Sequence, residues 1–239
     1  MSRKPEPALR ILAVGAHPDD LEFACGGILL SEAARGGEIY LLVCSRGESG
    51  SNGTAEEREA EARAAAGILG AQIEFIDLGG DSHFEVSNEN ALALARQVRK
   101  TKPHILFSSV TSPDQHPDHA VIGSLCRDAA RLARYGGIPE MRDLAPHAIE
   151  HHFQYAVTPA AEPPGLSVRV DISAHFDAWV RVMECHRTQL RTRSYIELQT
   201  ARARLLGAEA GVASAQALFP RDHLLIDSLG EWPPSIRLF

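Results

Sequence analysis

Short apolar segments of strand length alternate with helix-period segments along the first half of the chain. Four of these segments predict buried strands: residues 9–15, 38–45, 73–78 and 104–110. Three segments between them place Ala and Leu at helical spacing with charges on the opposite face: residues 27–35, 55–69 and 90–100. Because each crossover is long enough for a helix, the strands are predicted to run parallel with helices on both faces of the sheet. The predicted fold class is therefore α/β.

The pattern is looser after residue 135. A helix at 120–135 and a loop at 136–148 are followed by strand-like segments and two further helical stretches: strands at 149–157 and 167–172, helices at 175–190 and 195–206. A Pro-rich turn separates the two strands. The sequence contains no flexible linker and no internal repeat, so we predict one domain over residues 1–239 with a C-terminal strand and helix elaboration.

Composition excludes several classes of function. The chain has 24 Lys and Arg against 31 Asp and Glu, a formal charge of −7, which argues against nucleic acid as a partner. No apolar run approaches a membrane span, and no signal-peptide core is present. Cys25, Cys44, Cys126 and Cys185 form no CxxC pair and have apolar neighbours, which predicts buried, reduced thiols. We expect a cytoplasmic protein with no membrane partner.

The first chemical motif is AHPDDLE at residues 16–22, directly after the first predicted strand. In open α/β sheets, ligands bind beyond the carboxyl ends of the strands. His17 and Asp20 are three residues apart at a helix start, so both can point to one spot, and an imidazole with a carboxylate suits zinc. The alternative is a helix cap, since proline and aspartate both favour the first turn. This motif alone does not separate the two.

The second motif is His-Pro-Asp-His at residues 116–119, which follows the fourth predicted strand and opens a helix. Helix capping alone does not explain why two such helix starts lie at one edge of one sheet. Together the motifs supply a His/Asp/His set, which is the ligand count of a catalytic zinc site with one open position. We therefore predict a Zn²⁺ site.

The remaining polar residues of the two motifs then acquire roles. Asp19 adjoins the predicted ligand Asp20 but must point elsewhere, so it can act as the base beside a metal site. His116 can act as an acid for a departing amine if a carboxylate such as Asp118 holds it protonated. Capping of the helix is the alternative for Asp118, and both roles are compatible.

AHPDDLE followed by a distant HPDH resembles the zinc-dependent N-deacetylases of the LmbE-like (PIG-L) family. The resemblance extends from about residue 11 to the C-terminus and implies a Rossmann-like fold. It implies that zinc is held by His17, Asp20 and His119. It likewise implies Asp19 as the general base and His116 as the acid or oxyanion-stabilising group.

Two further matches concern the substrate. Residues 49–54 and Arg58 resemble the loop and helix start that face the sugar in this family, with Arg58 as its sugar-contacting arginine. Asp81, after the third predicted strand, matches an aspartate that the family uses on sugar hydroxyls. The alternative for Arg58 is a solvated helix face, because its neighbours are rich in arginine and glutamate.

Within the family, the chain most resembles the bacillithiol-pathway branch, which deacetylates N-acetylglucosaminyl malate. Residues 51–54 and the tail at 207–219 carry this similarity, while Gln216 and His83 depart from the branch pattern. The resemblance also implies a homo-oligomer, a trimer or a hexamer. His186 is the one other histidine predicted as a possible outer pocket residue.

The predicted function is zinc-dependent removal of an N-acetyl group from a small-molecule amino-sugar substrate, with N-acetylglucosaminyl malate as the predicted molecule. The alternatives are another N-acetylated sugar, such as diacetylchitobiose or an antibiotic or mycothiol precursor, and a non-catalytic metal- or sugar-binding protein. A nucleotide-binding protein is disfavoured because the first strand is not followed by GxGxxG. A phosphohydrolase usually needs two metals and more carboxylates than this edge offers.

Overall fold

Seven strands form one sheet in the computed structural model, which describes residues 8–233, 235 and 236. The strands are β1 (Arg10–Gly15), β2 (Glu38–Val43), β3 (Gln72–Phe75), β4 (Ile105–Ser109), β5 (His151–Tyr155), β6 (Val168–Asp171) and β7 (Ala215–Pro220). Six α-helices lie within the described ranges: α1 (Asp20–Ala34), α2 (Ala55–Leu69), α3 (Asn88–Thr101), α4 (Pro117–Ala133), α5 (Phe176–Glu184) and α6 (Tyr195–Ala210).

The strand order is β3-β2-β1-β4-β5-β7-β6. The first five strands of this order run parallel, and β7 runs antiparallel to both β5 and β6. The predicted α/β fold with a parallel sheet and a C-terminal elaboration is confirmed. That residues 1–239 form a single domain stays a prediction.

Strand β1 shows why the predicted strands have apolar residues at consecutive positions and not only at every second position. Ile11 and Ala13 pack into a core with residues of α1, α2, α5 and α6, whereas Leu12 and Val14 pack into a second core with α3 and α4. All four side chains are buried. A strand covered on both faces needs apolar residues at every position, which is the pattern of a central parallel strand.

The C-terminal part differs from the sequence prediction in two places. β7 is missing from the predicted strands, because Phe219 is its only residue of a type enriched in strands and its strand state comes from pairing with β5 and β6. The single helix predicted at 175–190 is instead α5, which ends at Glu184, followed by a short 3₁₀ turn at Gln189–Arg191.

In the described part of the chain, no helix combines the length and the apolar character needed to cross a bilayer. Cys25, Cys44 and Cys126 are buried free thiols, and Cys185 is a half-buried one.

Gly123 lets α4 lie close against the end of β4. A Cβ atom at Gly123 would overlap the carbonyl oxygen of Ser109 and lie 3.0 Å from Cγ2 of Thr111. We expect Gly123→Ala to lower the free energy of unfolding by about 1–3 kcal/mol, since either the helix or the strand end must shift. Urea denaturation measures this change.

Gly67→Ala in α2 is the control, because nothing lies within 4 Å of its added methyl group. This substitution is expected to stabilise the protein slightly. Equal stability of the two variants would contradict the close approach.

Candidate active site

The two motifs meet at the carboxyl ends of β1 and β4. These strands are neighbours in the sheet, although β2, β3 and three helices separate them along the chain. The strand order changes direction between them, since β2 and β3 lie on one side and β5 on the other. Such a switch point leaves a crevice where α/β proteins bind ligands. α1 and α4 both begin at this crevice, so the two motifs lie at the N-terminal ends of these helices.

Three side chains from the two motifs converge on one point. His119 Nε2 lies 3.0 Å from Asp20 Oδ1, and His17 Nδ1 lies 3.7 Å from Asp20 Oδ2. The ligand atoms of His17, Asp20 and His119 all lie within 4.8 Å of one another, and the three residues are buried. The structure therefore brings the predicted metal ligands together.

The backbone of the segment before α1 holds the Asp20 side chain in place. Asp20 Oδ2 accepts hydrogen bonds from the backbone N–H groups of Ala16 and His17, each at 2.9 Å. Burial alone would raise the pKa of Asp20, but the His119 and His17 rings hold the pKa of this carboxyl well below its usual range. Asp20 is thus an ionised carboxylate with Oδ1 directed at His119.

His17 is surrounded by carboxylates. Its Nε2 lies 3.1 Å from Asp81 Oδ1 and 3.1 Å from Asp118 Oδ2. Burial opposes a charge on this ring, yet Asp118, Asp20 and Asp81 raise the pKa of His17 to about 12. The position therefore stabilises a cation strongly.

This donor set fits a divalent metal ion. Nε2 of His17 faces Asp81 and Asp118, which leaves Nδ1 on the side of Asp20. A histidine that donates one ring N–H to a carboxylate while the other nitrogen binds the metal is the usual arrangement in metal sites. With His119, two imidazoles and one carboxylate suit zinc and leave room for a further ligand. This group can hold a metal ion, and its identity as zinc stays a prediction.

Asp19 has an unusual backbone conformation at the N-cap of α1. Its φ is 119° and ψ is −27°, a region that a residue with a Cβ atom adopts at a cost. Its side chain makes no capping hydrogen bond, so capping does not account for it. The carboxylate instead lines the cavity beside the metal-ligand group. Burial and the neighbouring Asp20 raise the pKa of Asp19 to about 6, although His186 and Arg58 oppose the shift.

His116 caps α4 and also lines the cavity. Its Nδ1 accepts a hydrogen bond from the backbone N–H of Asp118 at 3.3 Å. In the neutral ring the proton is therefore on Nε2, which is left as a donor. Its ring centroid lies 4.9 Å from that of His17, in an edge-on arrangement.

The prediction that Asp118 keeps His116 protonated does not agree with these contacts. Asp118 Oδ2 lies 4.0 Å from His116 Nδ1, but only 3.1 Å from His17 Nε2 and 2.7 Å from the backbone nitrogen of Ser82. Burial and the charge on His17 lower the pKa of His116, and the carboxylate of Asp118 does not offset them. Of the two roles predicted for His116, the neutral ring matches the oxyanion-stabilising donor.

Arg58 is buried, with 5% of its surface exposed, so the solvated-face alternative is wrong. Its Nη1 donates to the carbonyl oxygen of Gly47 at 2.9 Å and its Nη2 to that of Pro18 at 3.2 Å. Nη2 also lies 3.8 Å from Asp19 Oδ2. Arg58 therefore ties the loop after β2 to the first motif, and it also lines the cavity.

Asp81 has more contacts within the protein than the sequence indicated. Besides His17, its carboxylate accepts hydrogen bonds from the backbone N–H of Ser49 at 3.2 Å and from the Ser82 hydroxyl at 3.1 Å. Burial alone would raise the pKa of Asp81, but the contact with His17 lowers it to about 2. Asp81 lines the cavity, and a contact with a sugar hydroxyl would add to its contact with His17.

A cavity of about 710 Å³ opens above these residues. Sequence reasoning missed another part of its wall, which comes from the loop after β5, from Arg193 just before α6 and from the first turns of α6: Val157, Thr158, Pro159, Ala160, Arg193, Tyr195, Leu198 and Gln199. The position of the loop after β5, at the same edge as both motifs, is the signal that could have identified part of this wall.

Two other histidines that the sequence singled out lie away from the cavity lining. The His186 ring is fully buried behind Phe23, with Nε2 3.6 Å from Glu22 Oε1. His83 is exposed, and its Nδ1 lies 2.9 Å from the carbonyl oxygen of Asp81. Neither residue is placed to touch a ligand in the cavity.

Comparison with known proteins agrees with this geometry. Residues 12–130 match the PIG-L family, described as GlcNAc-PI de-N-acetylase. The conserved protein TT1542 from Thermus thermophilus is 32% identical, and its crystal structure superposes with a TM-score of 0.81 over 95% of this chain and 100% of that one. The chain belongs to the PIG-L family of LmbE-like proteins.

Two curated relatives carry names of enzymes. A 1D-myo-inositol 2-acetamido-2-deoxy-alpha-D-glucopyranoside deacetylase of Corynebacterium glutamicum is 33% identical over 145 residues, 46% of this chain and 49% of the relative. A 4-oxalmesaconate hydratase of Pseudomonas putida is 28% identical over 143 residues, 55% of each protein. The chain thus spans about half the length of these relatives.

Proposed function

We propose that the protein is a hydrolase that removes the N-acetyl group from an N-acetylglucosaminyl substrate, with Zn²⁺ held by His17, Asp20 and His119. The observation that carries the proposal is the convergence of these three side chains with Asp19 and His116 on one cavity. The family description and the deacetylase among the relatives support the same reaction.

The mechanism assigns one task to each group. His17, Asp20 and His119 would hold a zinc ion, which would supply a Lewis acid for the acetyl carbonyl and for a water whose pKa it would lower towards ~7. Asp19 accepts the proton of the attacking water, for which its raised pKa suits it near neutral pH. His116 donates from Nε2 to the carbonyl oxygen as negative charge develops there. The C–N bond then breaks as Asp19 returns the proton to the amine. Acetic acid, which carries the second proton of the water, and the free amino sugar leave, and the acid ionises to acetate in solvent.

For the particular substrate, we propose N-acetylglucosaminyl malate, the bacillithiol precursor. Ser51, in the segment at 51–54 that resembles the bacillithiol branch, lines the cavity beside Ser49 and Gly50. A cavity of about 710 Å³ is in the range that binds small-molecule ligands. The inositol-linked sugar in the name of the Corynebacterium relative supports a glucosamine carrying a second group.

A panel assay tests the proposal. Acetate release is measured with the malate-linked, the inositol-linked and the chitobiose-type N-acetylglucosaminides and with free N-acetylglucosamine, alongside the metal content of the same preparation. Highest kcat/KM on the malate-linked compound supports the full proposal. Preference for another compound rejects the malate assignment and retains the deacetylase. Binding without acetate release from any compound indicates a non-catalytic binding protein.

The hydratase relative makes addition of water to a carbon–carbon double bond the second candidate reaction. A metal site with a base and a neutral donor suits that reaction too, because both reactions begin with activation of water. The two differ in their products. Loss of absorbance from a conjugated unsaturated acid without acetate release would favour the hydratase.

We further propose that the protein acts in the cytoplasm as a homo-oligomer, a trimer or hexamer. The buried free thiols of Cys25, Cys44 and Cys126 support a reducing compartment. Sedimentation velocity of the purified protein tests the assembly, and a monomer at all concentrations would reject it.

Arg58→Ala is expected to raise KM for N-acetylglucosaminyl substrates by roughly tenfold with the zinc content unchanged. The substitution leaves buried polar groups of the substrate and of Gly47 and Pro18 without a donor, at a cost of about 1–3 kcal/mol. Steady-state kinetics on zinc-loaded protein measure the effect. Arg63→Ala is the matched control, because Arg63 lies on the same helix as an exposed partner of Glu59. An unchanged KM in Arg58→Ala would remove Arg58 from the substrate site.

A further inference from the structure

We propose that Arg193 recognises an anionic group on the part of the substrate that extends beyond the N-acetylated sugar. The proposal names a specificity residue and rests on the proposed deacetylase function. Two arginines line the cavity and could bind an anionic group, Arg58 and Arg193. The contacts of the cavity wall distinguish them.

Arg193 is a cation without an anionic partner in the described part of the protein. It lines the cavity, and its guanidinium carbon lies 5.7 Å from the centroid of the Tyr195 ring, which also lines the cavity. This cation–π contact favours a guanidinium placed over the ring. In the described ranges, Arg193 forms no ion pair with a carboxylate. Its donors are therefore available to a ligand.

Arg58, the other arginine that lines the cavity, already has partners within the protein. Arg58 donates to the carbonyl oxygens of Gly47 and Pro18 and faces Asp19 at 3.8 Å. An anion placed on Arg58 would meet the carboxylate of Asp19. An anionic group in the cavity thus has its better partner in Arg193.

The segment that carries Arg193 is fastened to the rest of the site. Asn52 Nδ2 donates to Thr192 Oγ1 at 3.2 Å, and Gln189 Nε2 donates to the carbonyl oxygen of Asn52 at 3.0 Å. Thr188 is bound through its backbone N–H and its hydroxyl to Glu61, at 2.9 and 2.7 Å. These contacts join the segment to the loop at 49–54 and to α2, so the backbone that carries Arg193 has a defined position at the cavity.

The start of α6 adds a second favourable contribution. Tyr195, Leu198 and Gln199 of its first turns line the cavity, whereas Glu197 does not. Ser194 at the N-cap makes no side-chain hydrogen bond to the helix. The positive end of the helix dipole favours negative charge close to Arg193. A carboxylate and a phosphate share this chemistry, and the experiment distinguishes them.

The experiment compares Arg193→Gln with Arg191→Gln in the zinc-loaded full chain. Arg191 is an exposed arginine of the same segment that does not line the cavity. The substrates are N-acetylglucosaminyl malate, N-acetylglucosamine 1-phosphate and the neutral methyl N-acetylglucosaminide. We expect Arg193→Gln to raise KM about tenfold for the anionic substrate that the wild type prefers, since a charge-assisted hydrogen bond is lost. KM for the methyl glycoside and kcat should change less than about twofold, within the range of a surface substitution.

Salt and a conservative variant separate recognition of charge from a structural role. Arg193→Lys should restore part of the preference for the anionic substrate. The preference of the wild type should shrink in about 1 M salt, where the Debye length is about 3 Å. An equal loss on anionic and neutral substrates, or the same effect in Arg191→Gln, would overturn the proposal, as would a wild type with no preference for either anion.

Product binding tests the inference apart from catalysis. Calorimetry measures binding of glucosaminyl malate and methyl glucosaminide to the zinc-loaded wild type and to Arg193→Gln. Tighter binding of the malate compound that depends on Arg193 supports the inference even if no acetate is released, in which case only the deacetylase function fails. Equal binding of both compounds, or no binding of either, rejects the role of Arg193.

Discussion

His119→Ala is expected to yield a folded protein that holds little zinc and releases acetate only at background level. His119 is 6% exposed, and its Nε2 lies 3.0 Å from Asp20 Oδ1. Its removal leaves His17 and Asp20, and two protein ligands bind zinc poorly at a site built for three. The fold should persist because Pro117 and Asp118 still begin α4.

Elemental analysis measures the zinc content of His119→Ala, and circular dichroism measures whether it is folded. His223→Ala provides the control, since His223 is an exposed loop residue outside the cavity lining, and it should keep both zinc and activity. His116→Ala should keep its zinc but have a lower kcat. This difference separates a metal ligand, His119, from a hydrogen-bond donor to the substrate, His116. Full zinc occupancy in His119→Ala would overturn the assignment of the three ligands.

Asp19→Asn should retain zinc while kcat falls by roughly 10²–10⁴, the usual contribution of a general base. The amide has the size of the carboxylate but does not accept the proton of water. Asparagine also tolerates positive φ better than most residues, so the backbone at φ 119° should persist. Asp19→Ala would mix the loss of the base with a change of backbone, which makes asparagine the cleaner substitution.

The pH profile provides a second readout for the same variant. A general base acts only when deprotonated, so kcat of the wild type should rise with pH through the pKa of Asp19. That pKa is about 6 without a metal ion, and a neighbouring cation lowers it, so the acid limb should lie at or below about pH 6. The limb should be absent in Asp19→Asn. Activity within a few-fold of the wild type would show that another group is the base.

Local sequence patterns were sufficient to predict the strands and helices of the first half of the chain. The apolar run at 9–15 corresponds to β1 (Arg10–Gly15), and the predicted helix at 55–69 has the bounds of α2. A buried parallel strand is apolar at every position, and a helix on its surface shows the helical period, so both are visible in short stretches of sequence. The two histidine motifs could be assigned to one edge of the sheet from local sequence too, because each lies beyond the carboxyl end of a predicted strand.

The sequence by itself thus determined the alternation of strands and helices and the edge at which chemistry occurs, because both depend on neighbouring residues. Tertiary structure alone decided that Ala-rich β7 is a strand, that Arg58 is buried, that Asp81 and Asp118 share His17, and that Arg193 lines the cavity. Each of these depends on residues far apart in the chain. The burial of a side chain and the pKa of a group such as His116 depend on which segments pack together. A local sequence pattern does not contain this information.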